Sequence, residues 1–144
     1  MNKLSVIILT YNEEKHLARC LESVKQIADE IIVVDSFSTD TTKEIAERYG
    51  AKFVQHEYEN QAQQFNWAIE DMGVSGDWIL RIDADEYLTP ELAKEIRETV
   101  NITPVGGNTL SPINGYYMKR RVVFMGRWIK HGTYYPIWIL RLFK

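Results

Sequence analysis

Residues 4–13, LSVIILTYNE, run apolar from Leu4 to Leu9, broken only by Ser5, and then turn polar at once. A continuous apolar run of this length fits a strand buried on both faces. Ile31 to Val34 is a second apolar run, ending at Asp35, and Trp78 to Ile82 reads as another strand, ending at Asp83. Lys52 to Gln55 reads as a further short strand. Between these runs the period changes. Leu17, Leu21 and Val24 are spaced for a helix, and Phe65, Ala68, Ile69 and Met72 make an i, i+3, i+4, i+7 face. Ser38 or Asp40 can cap a helix through Ile45 and Tyr49 that Gly50 stops, and Pro90 suits the first turn of a helix carrying Leu92 and Ile96. This alternation predicts an α/β fold, a mostly parallel sheet with helices on both faces. Ligands of such sheets collect beyond the carboxyl ends of the strands. Three polar segments fall there: Thr10–Glu13, Asp35 and Asp83–Asp85.

The 144 residues suffice for one modest domain, read as residues 1–100 and a continuation, 101–144. The continuation opens with a loop or linker over 101–115, rich in Gly, Pro and Asn. Tyr116–Phe124 and Tyr134–Phe143 follow as aromatic, β-branched strands. Net charge is only −3, but every Asp and Glu lies between Glu13 and Glu98, so the two parts carry about −10 and +7. Chemistry that needs a carboxylate must draw it from the first part. An acidic larger part also argues against nucleic acid as a partner. Cys20 stands alone, which excludes an internal disulfide and a multi-Cys zinc site; its helical spacing with Leu17, Leu21 and Val24 makes it a small core residue. There is no secretory signal pattern and no run of roughly 20 apolar residues. The expectation is a cytoplasmic protein, with peripheral contact at the inner face of the plasma membrane left open by the basic tail.

The sharpest chemical feature is Asp83-Ala84-Asp85. In an extended stretch residues i and i+2 face one side, so both carboxylates can meet one ligand. Mg²⁺ or Mn²⁺ takes such oxygen donors together with phosphate oxygens and water, and a cation so held stabilises a diphosphate leaving group. The plainer reading is a solvated acidic turn. Thr10 and Asn12 offer hydrogen bonds and Tyr11 a face for stacking, although Asn12 also suits a helix cap with Glu13 and Glu14 in the first turn. Asp35 can accept from a base or ribose, or serve the turn with Ser36 and Ser38. No glycine-rich dinucleotide motif, phosphate loop or G-x-S-x-G elbow occurs. His16, His56 and His131 lack metal-ligand spacing; His16 is expected in a helix and exposed, His56 structural.

Taken together, SVIILTYNEEKHLARCLESV, EIIVVDSFSTDTTKEIAERYGA, QFNWAI and WILRIDADEYLTPEL resemble the family-2 glycosyltransferases of the GT-A fold over about residues 3–98. The tail GRWIKHGTYYPIWILRLFK is similar to a bacterial subgroup that includes lipopolysaccharide-core β-glucosyltransferases. The resemblance implies inverting transfer from a nucleotide-diphosphate sugar, often UDP-linked, to a glycan or lipid-linked acceptor. It places Thr10, Tyr11, Asn12 and Glu13 in the first nucleotide-binding loop and Asp35 at the base or ribose. It makes Asp83 and Asp85 the metal and diphosphate carboxylates, Asp85 the firmer metal ligand. Asn66 matches the Asn of a segment that often reads Arg-x-Asn, with Gln64 in place of the Arg, and Asp-Ser-Phe-Ser replaces the commoner Asp-Asp-Gly-Ser.

Inversion requires a general base for the acceptor hydroxyl, and the family usually takes it from an Asp or Glu beyond the Asp-x-Asp segment. No carboxylate follows Glu98. The expectation is a fragment that ends before the base; the other readings are His131 as base, or a module that binds nucleotide sugar without efficient transfer. A metal-dependent nucleotidyltransferase is a further rival, without the glycine-rich phosphate loop it would need. In the tail, Arg120, Arg121, Arg127 and Lys130 beside Phe124 and Trp128 suit a phosphorylated acceptor or anionic headgroups. They equally suit a strand pair that packs its aromatics on the sheet.

Overall fold

The computed structural model describes residues 1–102, 113–133 and 135–144. Its elements are β1 (Leu4–Thr10), α1 (Leu17–Val24), β2 (Glu30–Asp35), α2 (Thr42–Arg48), β3 (Lys52–Gln55), α3 (Gln61–Asp71), β4 (Trp78–Asp83) and α4 (Pro90–Asn101). The tail adds β5 (Gly115–Arg120), β6 (Val123–Phe124), β7 (Arg127–Trp128) and β8 (Ile137–Phe143). Six strands form one sheet in the order β3-β2-β1-β4-β8-β5, and β6 pairs only with β7. Strands β1 to β4 are mutually parallel, whereas β8 runs antiparallel to both β4 and β5.

Alternation along β1 shows why its run is apolar throughout. Leu4, Val6 and Ile8 enter one core with α1, α2 and α4, while Ile7 enters the other with Phe65 and Ala68 of α3. Each fully buried aliphatic side chain contributes about 1.5–3 kcal/mol. Ser5, the one polar member, is buried because its hydroxyl donates to Glu30 at 2.6 Å and accepts from the Gly76 N–H at 3.0 Å. Cys20 is buried among the first core's residues, and burial pushes its thiol pKa up to about 12. Gly50 ends α2 with φ 72°.

Several expectations need correcting. Asn12 does not cap α1: the N-cap is His16, without a side-chain cap, and Asn12 is held at φ 50° in the loop before it. His16 is therefore the boundary residue, not part of the helix, and is exposed. Thr41 is the N-cap of α2, while Asp40 accepts the Thr42 N–H at 3.0 Å. Tyr116–Phe124 is not one strand. The β5–β8 ladder stops at the pair Arg120↔Ile137, next to Pro136, which has no N–H to offer. The chain then leaves the sheet and folds into the β6–β7 hairpin. Asn101 belongs to α4 and Gly115 to β5; of the expected linker 101–115, residues 103–112 lie outside the described residues, as does Tyr134. Among the described residues no helix is long and apolar enough to cross a membrane.

Candidate nucleotide-sugar site

Beyond the carboxyl ends of β1, β2 and β4 lies a cleft of about 590 Å³. Its floor is Leu9 and Thr10 of β1, Ser36, and Ala84; Tyr11, Glu13, Phe37, Glu57, Tyr58 and Gln61 form the rims, and Asp83 and Asp85 close one side. Backbone hydrogen bonds continue past the strand ends and hold these segments in line: Ser36 N–H donates to the Thr10 carbonyl at 3.0 Å, and Ala84 N–H to the Leu9 carbonyl at 3.2 Å.

The first loop is a built structure. Asn12 Oδ1 accepts the Thr39 N–H at 2.8 Å, Ser38 Oγ accepts the Asn12 N–H at 2.7 Å, and Thr42 Oγ1 accepts the Glu13 N–H at 3.0 Å. Asn12 thus supports the cleft without lining it. Thr10 lines the cleft but is buried, and its Oγ1 has no hydrogen-bond partner among the described residues. Tyr11 is 59% exposed and Phe37 56%, both large rings at the rim. Phe37 has φ 60°, a left-handed conformation uncommon for a bulky residue.

Asp35 is fully buried and does not line the cleft. Its carboxylate accepts from the Ser38 N–H at 2.8 Å, the Ser38 hydroxyl and Gln55 Nε2, so the structure gives it the turn role. Asn66 is exposed on α3 and lines a different cavity, with His56, Trp67 and Glu70. Gln64, two residues earlier, is buried and spent on Ser36 and His56. His56 stacks on Trp67 at 4.0 Å, a structural position. His131 is exposed between β7 and β8 and lines neither cavity.

Asp83 and Asp85 do share the cleft, but not through strand alternation. Glu86 N–H donates to the Asp83 carbonyl at 2.9 Å, closing a turn in which Asp85 sits, and Glu86 Oε2 accepts the Asp83 N–H at 3.1 Å. Gln61 Nε2 donates to Asp83 Oδ1 at 3.1 Å. Asp85 is exposed, and its carboxylate makes no hydrogen bond or ion pair among the described residues. Burial pushes the Glu86 pKa up, opposed by Arg141 and reinforced by Asp83 and Asp85. Among the described residues no group of three potential ligands gathers for a metal. The free Asp85 carboxylate at an open cleft, with Asp83 beside it, nevertheless fits Mg²⁺ or Mn²⁺, which takes one or two carboxylates and completes its shell with phosphate and water.

Gln61, Tyr58, Phe37 and Arg141 were not singled out from the sequence. Arg141 had a readable signal, a lone cation inside the apolar strand Ile137–Phe143. The others are rim residues without periodicity.

The fold and this cleft define a GT-A domain of the nucleotide-sugar transferase class. The family model of glycosyl transferase family 2 matches residues 5–140, and the chain belongs to that family. An uncharacterized glycosyltransferase of Rickettsia felis is 50% identical over 96 residues, covering 67% of this chain and 33% of its own length. The SPbeta prophage-derived glycosyltransferase SunS of Bacillus subtilis is 35% identical over 97 residues, 66% of this chain and 23% of that one. Among solved structures, M. tuberculosis glucosyl-3-phosphoglycerate synthase in complex with Mn²⁺ and UDP-glucose superposes with TM-score 0.51 at 28% identity, covering 60% of this chain and 34% of that one. The chain spans about a third of the length of the Rickettsia relatives it matches.

Proposed function

We propose that this chain forms the donor site of an inverting glycosyltransferase that moves a sugar from a nucleotide-diphosphate sugar, UDP-linked, onto a glycan or lipid-linked acceptor of the bacterial surface such as lipopolysaccharide. The observation that carries the reading is the meeting of Asp83 and Asp85 with Thr10, Tyr11 and Phe37 around one cleft at the strand ends. Tyr11 and Phe37 supply faces for a base. Asp85, with Asp83 beside it, holds Mn²⁺ or Mg²⁺. When bound, the cation offsets the negative charge of the diphosphate as it leaves. The M. tuberculosis enzyme crystallised with Mn²⁺ and UDP-glucose supports both donor and metal by similarity. No carboxylate follows Glu98 to serve as the acceptor base, and the site of action in this reading is cytoplasmic, with peripheral contact at the inner face of the plasma membrane.

The test is a thermal-shift screen of UDP-, GDP- and dTDP-sugars with and without Mn²⁺, followed by titration calorimetry. A Mn²⁺-dependent shift with a UDP-sugar is expected; no shift with any nucleotide sugar overturns the reading. A second reading, a binding module without transfer, is favoured by the position of His131 away from the cleft. Catalytic release of UDP by this chain would overturn that second reading.

A further inference from the structure

The β4–β8 ladder has only two residue pairs, Ile79↔Phe143 and Leu80↔Leu142. Past Leu80, β4 continues to Asp83 while β8 separates from it. Arg141 is the next β8 residue at that parting, only 7% exposed, and its side chain spans the gap. Its Nη2 lies 2.8 Å from Glu86 Oε1 and 3.4 Å from Asp83 Oδ2. These are the two ion pairs that reach the Asp83–Glu86 turn among the described residues. With the Glu86 to Asp83 N–H bond they close a ring through Asp83, Glu86 and Arg141. Arg141 Nη1 is buried with no partner among the described residues.

Two carboxylates held this close, and mostly out of water, repel each other unless a cation stands between them. A guanidinium can serve both at once, which an ammonium does less well. Asp83 thereby has both oxygens engaged, one by Gln61 and one by Arg141, while the Asp85 carboxylate stays free.

We propose that Arg141 is a positioning residue of the donor site: it offsets one of the two charges of Asp83 and Glu86 and holds them together, so that their turn offers Asp85 to the cation and repels the diphosphate less. This rests on the donor-site reading above. It makes the tail strand part of the nucleotide-sugar half, across 58 positions of sequence.

The experiment titrates Mn²⁺·UDP into the 144-residue chain and its variants, following free Mn²⁺ by electron paramagnetic resonance, with a metal-free thermal melt of each. Arg141→Met should weaken Mn²⁺·UDP binding tenfold or more while melting cooperatively, and Arg141→Lys should recover part of it. Arg141→Met combined with Glu86→Gln removes the uncompensated charge and should return to within about threefold of the parent. A purely structural Arg141 would not be rescued in this way. Binding by folded Arg141→Met within twofold of the parent overturns the inference, as does a double variant no tighter than Arg141→Met. If Arg141→Met does not fold, the double variant decides: near-parental binding supports charge balance, and a folded double variant more than tenfold weaker overturns it. A parent chain that binds no Mn²⁺·UDP sinks the donor-site reading itself, and the role of Arg141 with it.

Discussion

Asn12 accepts the backbone N–H of Thr39 at 2.8 Å, so the loop after β1 and the loop after β2 behave as one hydrogen-bonded unit. Asn tolerates the φ of 50° that this bridge requires better than most residues. Asn12→Ala should cost about 1–2 kcal/mol, from the lost bond and the unfavourable φ. Asn12→Gly should recover the backbone part but not the bridge. Urea denaturation of the two variants separates the contributions; equal stability of Ala and Gly variants would mean that the φ carries no cost.

Asp85 is exposed and unpaired, so its replacement should leave folding intact. Asp85→Ala is expected within about 0.5 kcal/mol of the parent in the absence of metal. Its Mn²⁺-dependent thermal shift with UDP should vanish. A preserved shift would remove Asp85 from the metal site.

Phe37 exposes its ring at the cleft in a strained backbone conformation, and this pairing of cost with exposure suits a contact surface better than a core role. Phe37→Gly should leave stability unchanged or raise it by about 1 kcal/mol, because Gly adopts φ 60° freely. UDP affinity should drop by about 1–3 kcal/mol if the base stacks there. Calorimetry and thermal melts would read opposite directions from one substitution; unchanged UDP affinity would exclude stacking on Phe37.

At the amino-terminal end of β1 and β2, opposite the cleft, Asp29 accepts the Leu4 N–H at 2.8 Å and pairs with Arg97 at 2.9 Å. The Leu4 N–H is the main influence, ahead of opposing desolvation and of Arg97, and the carboxyl sits below the usual range. Since the folded pKa is depressed, the resulting stability is present above the unfolded value of about 4 and lost as pH falls through the folded one. Asp29→Asn should therefore be less stable than the parent at pH 7, with the gap narrowing below pH 4. A gap that is constant with pH would assign the effect to packing instead of charge.

The parallel half was legible because β1, β2 and β4 are buried on two faces, which leaves mostly apolar runs, broken only by Ser5 and Arg81, that end in polar residues at one end of the sheet. The gathering of Thr10, Tyr11, Glu13, Asp83 and Asp85 around one cleft was legible from the same strand ends. Local hydrogen bonding was not. Asp35 reads equally as a ligand or as a turn residue with Ser36 and Ser38, and only the folded structure shows Ser38 and Gln55 on its carboxylate. Asn12 reads as a cap, yet its partner lies 27 residues on. Asp83 and Asp85 converge through a turn that Glu86 closes, a route no strand period describes. The tail was legible only as β-prone, since its register depends on β8 lying between β4 and β5.

That insertion has a consequence for the order of assembly during synthesis. Strand β5 pairs with β8 alone, so it emerges from the ribosome with no sheet to join and must wait until residues up to Phe143 have followed it. The parallel half can close on itself beforehand, because each of β1 to β4 finds a neighbour among strands already made. During that interval β4 keeps one open edge, which later chain fills at Ile79 and Leu80 by vectorial addition.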